Sequence, residues 1–183
     1  MYHISKDARA QKSAQLICKG LEACLAEKPL NETRVSDIYE KCFVSRSTFY
    51  RLFDSVNDVI SYQCECIFQE VMKISATKTY TDRKEQAIAC AKAWLSHPAF
   101  IRALVDNGLG YMIYKAHERH FDVIKEQCPT RLQGGVESKY FLSILSAIIA
   151  ASMSVYIKLG SSEPIEKAYD IVTTCTSTIA KIL

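Results

Sequence analysis

Between Thr33 and Phe53 the chain reads TRVSDIYEKCFVSRSTFYRLF. Two short helical patterns lie within it, Val35 to Cys42 and Arg46 to Phe53, about three residues apart. Ile38 on the first, Val44 in the turn, and Phe49 and Phe53 on the second make a small core. Ser45 stands where the second helix needs an N-cap. Arg46, Ser47, Thr48, Tyr50 and Arg51 then occupy the face left free. Guanidinium and hydroxyl groups gathered in this way suit the major groove of duplex DNA, and the spacing is that of a helix-turn-helix: a bracing helix followed by a recognition helix.

Other groupings of reactive side chains are weaker. His117 and His120, within HERH, stand at i and i+3 on a helical pattern. They hold a metal only if further ligands converge. Cys128 is near in sequence and Glu118 points to another face, so a solvated polar face is expected and no metal. Cys64 and Cys66 fall on nearly opposite sides of a helix, which favours core packing over chelation or a redox switch. No nucleophile elbow, phosphate-binding loop, dinucleotide-binding glycine pattern or zinc-hydrolase motif occurs. No catalytic residues and no cofactor are therefore assigned, and the chain is not read as an enzyme.

The elements that position these residues are helical almost throughout. Ala14, Ile17, Leu21 and Cys24 form the apolar face of a first helix ending near Glu27, ahead of Pro29. Ser55 and Asp58 make a capping pattern for a long helix carrying Ile60, Cys64, Ile67, Val71 and Ile74. The linker KTYTD leads to a helix over about Asp82–Ser96, and Pro98 suits the first turn of the next. Gly108 and Gly110 interrupt; another helix runs to about Gln127. Cys128-Pro129 and Gly134-Gly135 read as loop. Two last helices, about Val136–Leu159 and Pro164–Ile182, are split by Gly160-Ser161-Ser162.

Composition agrees with an all-α chain. Six Gly and four Pro in 183 residues are about half of average usage, too few for a turn-rich β-sandwich. The net charge is +3, and all of that excess lies in residues 1–53, a hint of an anion-binding N-terminal module. Eight cysteines contain no C-x-x-C pair, and MYHISKDARAQK has no apolar signal-peptide stretch. The thiols are read as reduced and the protein as cytoplasmic.

Tyr140 to Ile157 is uncharged, about 27 Å of helix and at the lower limit for spanning a bilayer. Four serines dilute it and no second such run exists, so close packing is expected and no membrane. Ser143, Ala147, Ala150, Ala151 and Ser154 offer small side chains for it. In the last helix Ile165, Tyr169, Val172, Thr176, Ile179 and Leu183 repeat as a bundle seam. Together the two helices can build half of a four-helix-bundle interface in a homodimer.

The strings T-x-V-x-D-I and V-S-R-S-T-F-Y-R-x-F-D-S resemble the TetR/AcrR (tetracycline-repressor-like) family of transcriptional regulators. The likeness is strong over residues 12–60 and looser beyond, although Leu142 to Gly160 resembles the penultimate helix of small members. The resemblance implies an all-α fold with an N-terminal three-helix head, residues 1–55, and a C-terminal body, residues 56–183, for dimerisation and effector binding. It implies a repressor that binds double-stranded DNA at a palindromic operator as a homodimer and is released by a small apolar effector.

The resemblance also implies roles. Ser45, Arg46, Ser47 and Thr48 fall at the N-terminal part of the recognition helix, near bases and phosphates. Arg46 reads a guanine edge or holds a phosphate. Tyr50 matches a phosphate-contacting tyrosine, Arg51 a variable position that touches bases, and Arg34 a phosphate grip at the start of the bracing helix. Cys64, Phe68, Trp94, Phe100, Met112 and Phe121 would line an apolar pocket in the body, with a filled core as the alternative.

Two positions depart from the family. Phe43 stands where glycine usually makes a left-handed turn, and Val56 stands where a lysine usually anchors a phosphate. These departures motivate the alternatives: a regulator-like dimer that acts on a partner protein through its body, or a small-molecule-binding protein with a vestigial head.

Overall fold

The computed structural model describes residues 2–77, 82–124 and 135–182. The described residues are all-helical, apart from an isolated antiparallel bridge between Tyr2 and Phe53. In chain order the helices are α1 (Ala8–Glu27), α2 (Val35–Lys41), α3 (Arg46–Leu52), α4 (Val56–Thr77), α5 (Arg83–Leu95), α6 (Pro98–Asp106), α7 (Tyr111–Glu118), α8 (Phe121–Ile124), α9 (Gly135–Lys158) and α10 (Ile165–Ile182), with a 3-10 turn at Leu30–Glu32.

Local chemistry sets most of these boundaries. The Asp7 carboxylate accepts from the Ala10 N–H and caps α1, which stops before Pro29 because the residue preceding a proline disfavours helix. Ser55 Oγ accepts from the Asp58 N–H, and the Asp58 carboxylate accepts from Ser55 Oγ and the Asp54 N–H, so the S-x-x-D pattern caps α4. Asp82 caps α5 through the Glu85 N–H at 2.7 Å. Pro98 opens α6, where its missing N–H costs nothing.

One boundary differs from expectation. The helix read as continuous to Gln127 ends instead at Glu118 and restarts at Phe121. The His120 N–H reaches back only three residues, to the His117 carbonyl at 3.0 Å, which tightens the turn. At this break the His120 ring lies parallel to Phe68, centroids 5.0 Å apart. Gln127, Cys128, Pro129, Gly134, most of the KTYTD linker and Leu183 lie outside the described residues.

The chain divides into two compact units. The first spans Met1–Ile67 and His97–Leu109. Its core holds Ile17 and Leu21 of α1, Ile38 of α2, Phe49 and Leu52 of α3, Val59 and Ile60 of α4, and Phe100, Ile101 and Leu104 of α6. Burying each large apolar side chain is worth about 1.5–3 kcal/mol, which is what holds such short helices in place. A β-carbon at Gly20 would meet the Ile38 carbonyl at 2.7 Å, so glycine lets α1 and α2 approach closely. Glu22 of α1 accepts from Gln63 of α4 and pairs with His97 Nδ1 at 2.5 Å, just ahead of α6.

The second unit spans Phe68–Ser96 and Gly110–Leu183. On α9 the buried residues Ser138, Leu142, Ser146, Ala150, Met153 and Ile157 form one stripe, which packs on α7. Helix α10 buries none of its residues. It is tied to α5 by the Lys84–Asp170 and Lys92–Glu166 pairs at 2.6 and 2.9 Å. Helix α9 is long and apolar enough to cross a membrane.

Candidate nucleic-acid interface

The turn between α2 and α3 is built by the end of α2. The Val44 N–H bonds to the Tyr39 carbonyl at 3.1 Å and the Phe43 N–H to the Glu40 carbonyl at 3.3 Å. That is the paired closure in which the residue after the helix adopts a left-handed conformation. Phe43 does so, with φ of +54°, at a cost of about 1–2 kcal/mol for a residue with a β-carbon. The sequence therefore keeps the turn that glycine normally makes and accepts its strain.

Ser45 follows as the N-cap of α3. Its Oγ accepts from the Thr48 N–H at 3.2 Å and lies 2.9 Å from Thr48 Oγ1 and 3.0 Å from Ser47 Oγ. The three hydroxyls thus fix the first turn of α3 and one another. Arg46, one residue on, is exposed, with its guanidinium carbon 5.7 Å from the Tyr50 ring centroid. Tyr50 is 46% exposed and braced edge-on by the buried Phe49 at 5.5 Å. Arg51 is exposed in the last turn of α3.

Arg34 is exposed at the N-cap of α2. The Asp37 carboxylate accepts the Arg34 backbone N–H at 2.7 Å and Lys28 Nζ at 2.5 Å. The Lys28 bond, followed by the Arg34 N–H, holds the Asp37 carboxyl below its usual range. Among the described residues no ion pair engages the guanidinium of Arg34, Arg46 or Arg51. Three cations and the Tyr50 hydroxyl are thereby presented to solvent by a two-helix frame whose other side is core, an arrangement that can take phosphate oxygens and base edges.

The N-terminal segment was not legible as part of this frame. The His3 N–H bonds to the Leu52 carbonyl at 2.8 Å, and Tyr2 bonds to Glu65 and meets Tyr62 edge-on at 5.4 Å. The end of α3 is thus pinned by a two-residue bridge, too short to show a periodicity.

In the first unit Cys64 and Phe100 are buried in the core; Phe68, Trp94, Met112 and Phe121 belong to the second. The solvated histidine pair expected from HERH is corrected. His117 is only 5% exposed, its ring against Phe68 and Trp94 at 4.9 and 6.0 Å. Its Nδ1 has no hydrogen-bond partner. Burial, reinforced by His120, lowers its pKa to about 4, so the ring is neutral at physiological pH. Burial also raises the thiol pKa values of Cys18, Cys24, Cys42 and Cys90.

The small-residue stripe of α9 is divided between two sides. Ser143, which accepts from the Tyr114 hydroxyl at 3.2 Å, Ala150 and Ser154 are buried or half-buried, whereas Ala147 and Ala151 are exposed. On α10, Tyr169, Val172 and Thr176 are half-buried and Ile179 is exposed. Between the two helices lies an apolar groove of about 360 Å³, lined among others by Ile148, Ala151, Val155, Ile171, Val172 and Ile179.

No family model matches the chain, and none of the curated proteins does. Among solved structures the fold is similar to that of a protein described as "Dihydroxyacetone kinase operon activator DhaS". The match has a TM-score of 0.58 at 16% identity and covers 93% of this chain and 97% of that one. The all-helical fold is therefore shared, over nearly the whole of both chains, with a protein named as an operon activator.

Proposed function

We propose that the chain is a sequence-specific DNA-binding transcription regulator that acts as a homodimer at a palindromic operator in the cytoplasm, with repression as its mode. The reading is carried by α3, which is capped by Ser45, backed by core residues Phe49 and Leu52, and left with Arg46, Tyr50 and Arg51 facing water. A three-helix head within residues 1–55 presents this helix to the major groove, and Arg34 holds a phosphate beside it. Residues 56–183 dimerise and receive the effector.

The body supports the dimer. Ile144 and Val155 of α9 and Ile171 and Ile179 of α10 are at least half exposed, and clustered exposed apolar side chains of this kind mark interaction surfaces. A second copy laid across both helices makes a four-helix bundle and sets the two recognition helices about 34–36 Å apart, one turn of B-DNA. A small apolar effector, lodged near aromatic residues such as Phe68 and Trp94, changes that separation and so the population able to bind DNA.

Selection from random duplex DNA, with wild type beside Arg46→Ala at near-physiological salt, tests the reading. A palindrome enriched by the wild type alone is the expected result. No enrichment by the wild type overturns it and moves a partner-protein role, through the α9–α10 face, to first place.

A further inference from the structure

Phe43 combines two local disadvantages at one position. Its φ of +54° lies in the left-handed region, where a β-carbon crowds the backbone and glycine is the usual occupant. Its ring is 97% exposed, so the fold draws no packing from the largest apolar side chain of the turn. Most of the other strongly exposed apolar residues lie on α9 and α10, where the proposed second copy would cover them. Phe43 stands apart from these, two residues before the cap of α3 and three before the exposed Arg46, while Lys41 on its other side is paired with Glu27 at 2.6 Å. A strained, unburied aromatic near the exposed Arg46 guanidinium points to a contact outside the chain. The Arg46 guanidinium suits a polyanion, and the apolar feature that a duplex offers in its major groove is the thymine C5-methyl.

The geometry points to Phe43 as a specificity-determining residue of the DNA interface, its ring packing on a thymine methyl at the edge of each half-site. This inference rests on the DNA-binding function proposed above. It gives the turn, as well as the recognition helix, a share in reading sequence.

The test uses the full-length protein and the duplex that the wild type selects. Each thymine is replaced in turn by deoxyuridine, which removes only the C5-methyl, and affinity is measured for the wild type, Phe43→Gly and Phe43→Ala. Glycine relieves the strain and alanine keeps it, so the pair separates loss of the ring from relaxation of the backbone. For the wild type, one thymine per half-site is expected to lose about fourfold on demethylation, the value of one buried methyl group. For both variants that same substitution is expected to change nothing. An identical thymine scan for all three proteins overturns the inference and leaves the DNA-binding reading intact. A uniform loss of affinity in the variants with no methyl-dependent position overturns it as well. If the wild type selects no sequence, the functional reading fails and this inference falls with it.

Discussion

The guanidinium of Arg46 lies over the Tyr50 ring one helical turn further along α3, 5.7 Å from its centroid. The stack holds a long cationic side chain near one orientation, which reduces the entropy lost when it makes a contact.

Arg46→Ala is expected to weaken operator binding by about 1–3 kcal/mol, roughly 5–150-fold, without unfolding the head. Tyr50→Ala should lose both the hydroxyl and the brace, whereas Tyr50→Phe keeps the brace and loses only the hydroxyl. Fluorescence anisotropy on the selected duplex checks the series, with circular dichroism as the folding control. Unchanged affinity for both alanine variants removes α3 from the interface.

Ser45→Ala removes the side-chain acceptor that caps α3 and ties Ser47 and Thr48 together. Loss of such a cap costs about 1 kcal/mol. For a chain of this size that lowers the melting temperature by about 2–4 °C. Thermal unfolding at pH 7 reads it directly.

His117 gives stability a defined pH dependence. With its folded pKa lowered to about 4 by burial, the ring takes up a proton less readily than in the unfolded chain, where about 6.5 applies. Protons therefore favour unfolding. The penalty is absent above pH 6.5, grows as pH falls, and is complete near pH 4. At pH 5 it amounts to about 2 kcal/mol, on the order of 4–8 °C in melting temperature. His117→Phe, which keeps an aromatic ring against Phe68 and Trp94, should lose that much less than the wild type between pH 7.5 and pH 5. Equal losses in the two proteins would falsify the assignment.

Val56 opens α4, and under the proposed function a cation at this position would meet a phosphate. Val56→Lys is expected to tighten operator binding and to steepen the plot of log affinity against log salt by about 0.9, one released counterion. A lysine at a helix N-terminus opposes the helix dipole, so the gain should come with slightly lower stability. Titrations between about 50 and 200 mM salt decide it.

The exposed isoleucines of α10 should control assembly. Ile171→Asp combined with Ile179→Asp places two carboxylates in the apolar groove beside α9 and is expected to yield monomers by sedimentation. DNA affinity should fall steeply, because two linked half-sites become one. Persistence of the dimer moves the interface elsewhere.

Much of this fold could be read from the sequence because its boundaries are set locally. Pro29, Ser45, Ser55 with Asp58, Asp82 and Pro98 all act through their own backbone neighbours, and each helix start or stop follows from them. The left-handed turn at Phe43 was not settled by the sequence, because a residue with a β-carbon there leaves a rearranged turn open; its φ of +54° decides it. The break at Arg119 and His120 was not legible, since no glycine or proline marks it and it coincides with the long-range stacking of His120 on Phe68. The burial of His117 was missed because HERH is polar in composition while its environment is set by Phe68 and Trp94, 49 and 23 positions earlier in the chain. Helix α9 is apolar on nearly every side, so its periodicity could not assign Ser143 and Ala151 to different sides. At the candidate interface, residue types and spacing gave the helix and its cap; the stacking of Arg46 on Tyr50 and the exposure of Phe43 needed coordinates.

Helix α6 follows α5 and precedes α7 in the chain, yet it packs on α1 within the first compact unit. The first compact unit is therefore composed of two separate stretches of sequence. A crossover that exchanged only the first 55 residues with a related gene would leave α1 without its own α6, and Phe100, Ile101 and Leu104 would have to fit a foreign surface. Inheritance of residues 1–55 alone as a cassette is disfavoured. New surface chemistry in this scaffold is more readily reached by point changes on the solvent side of α3 and its preceding turn than by recombination.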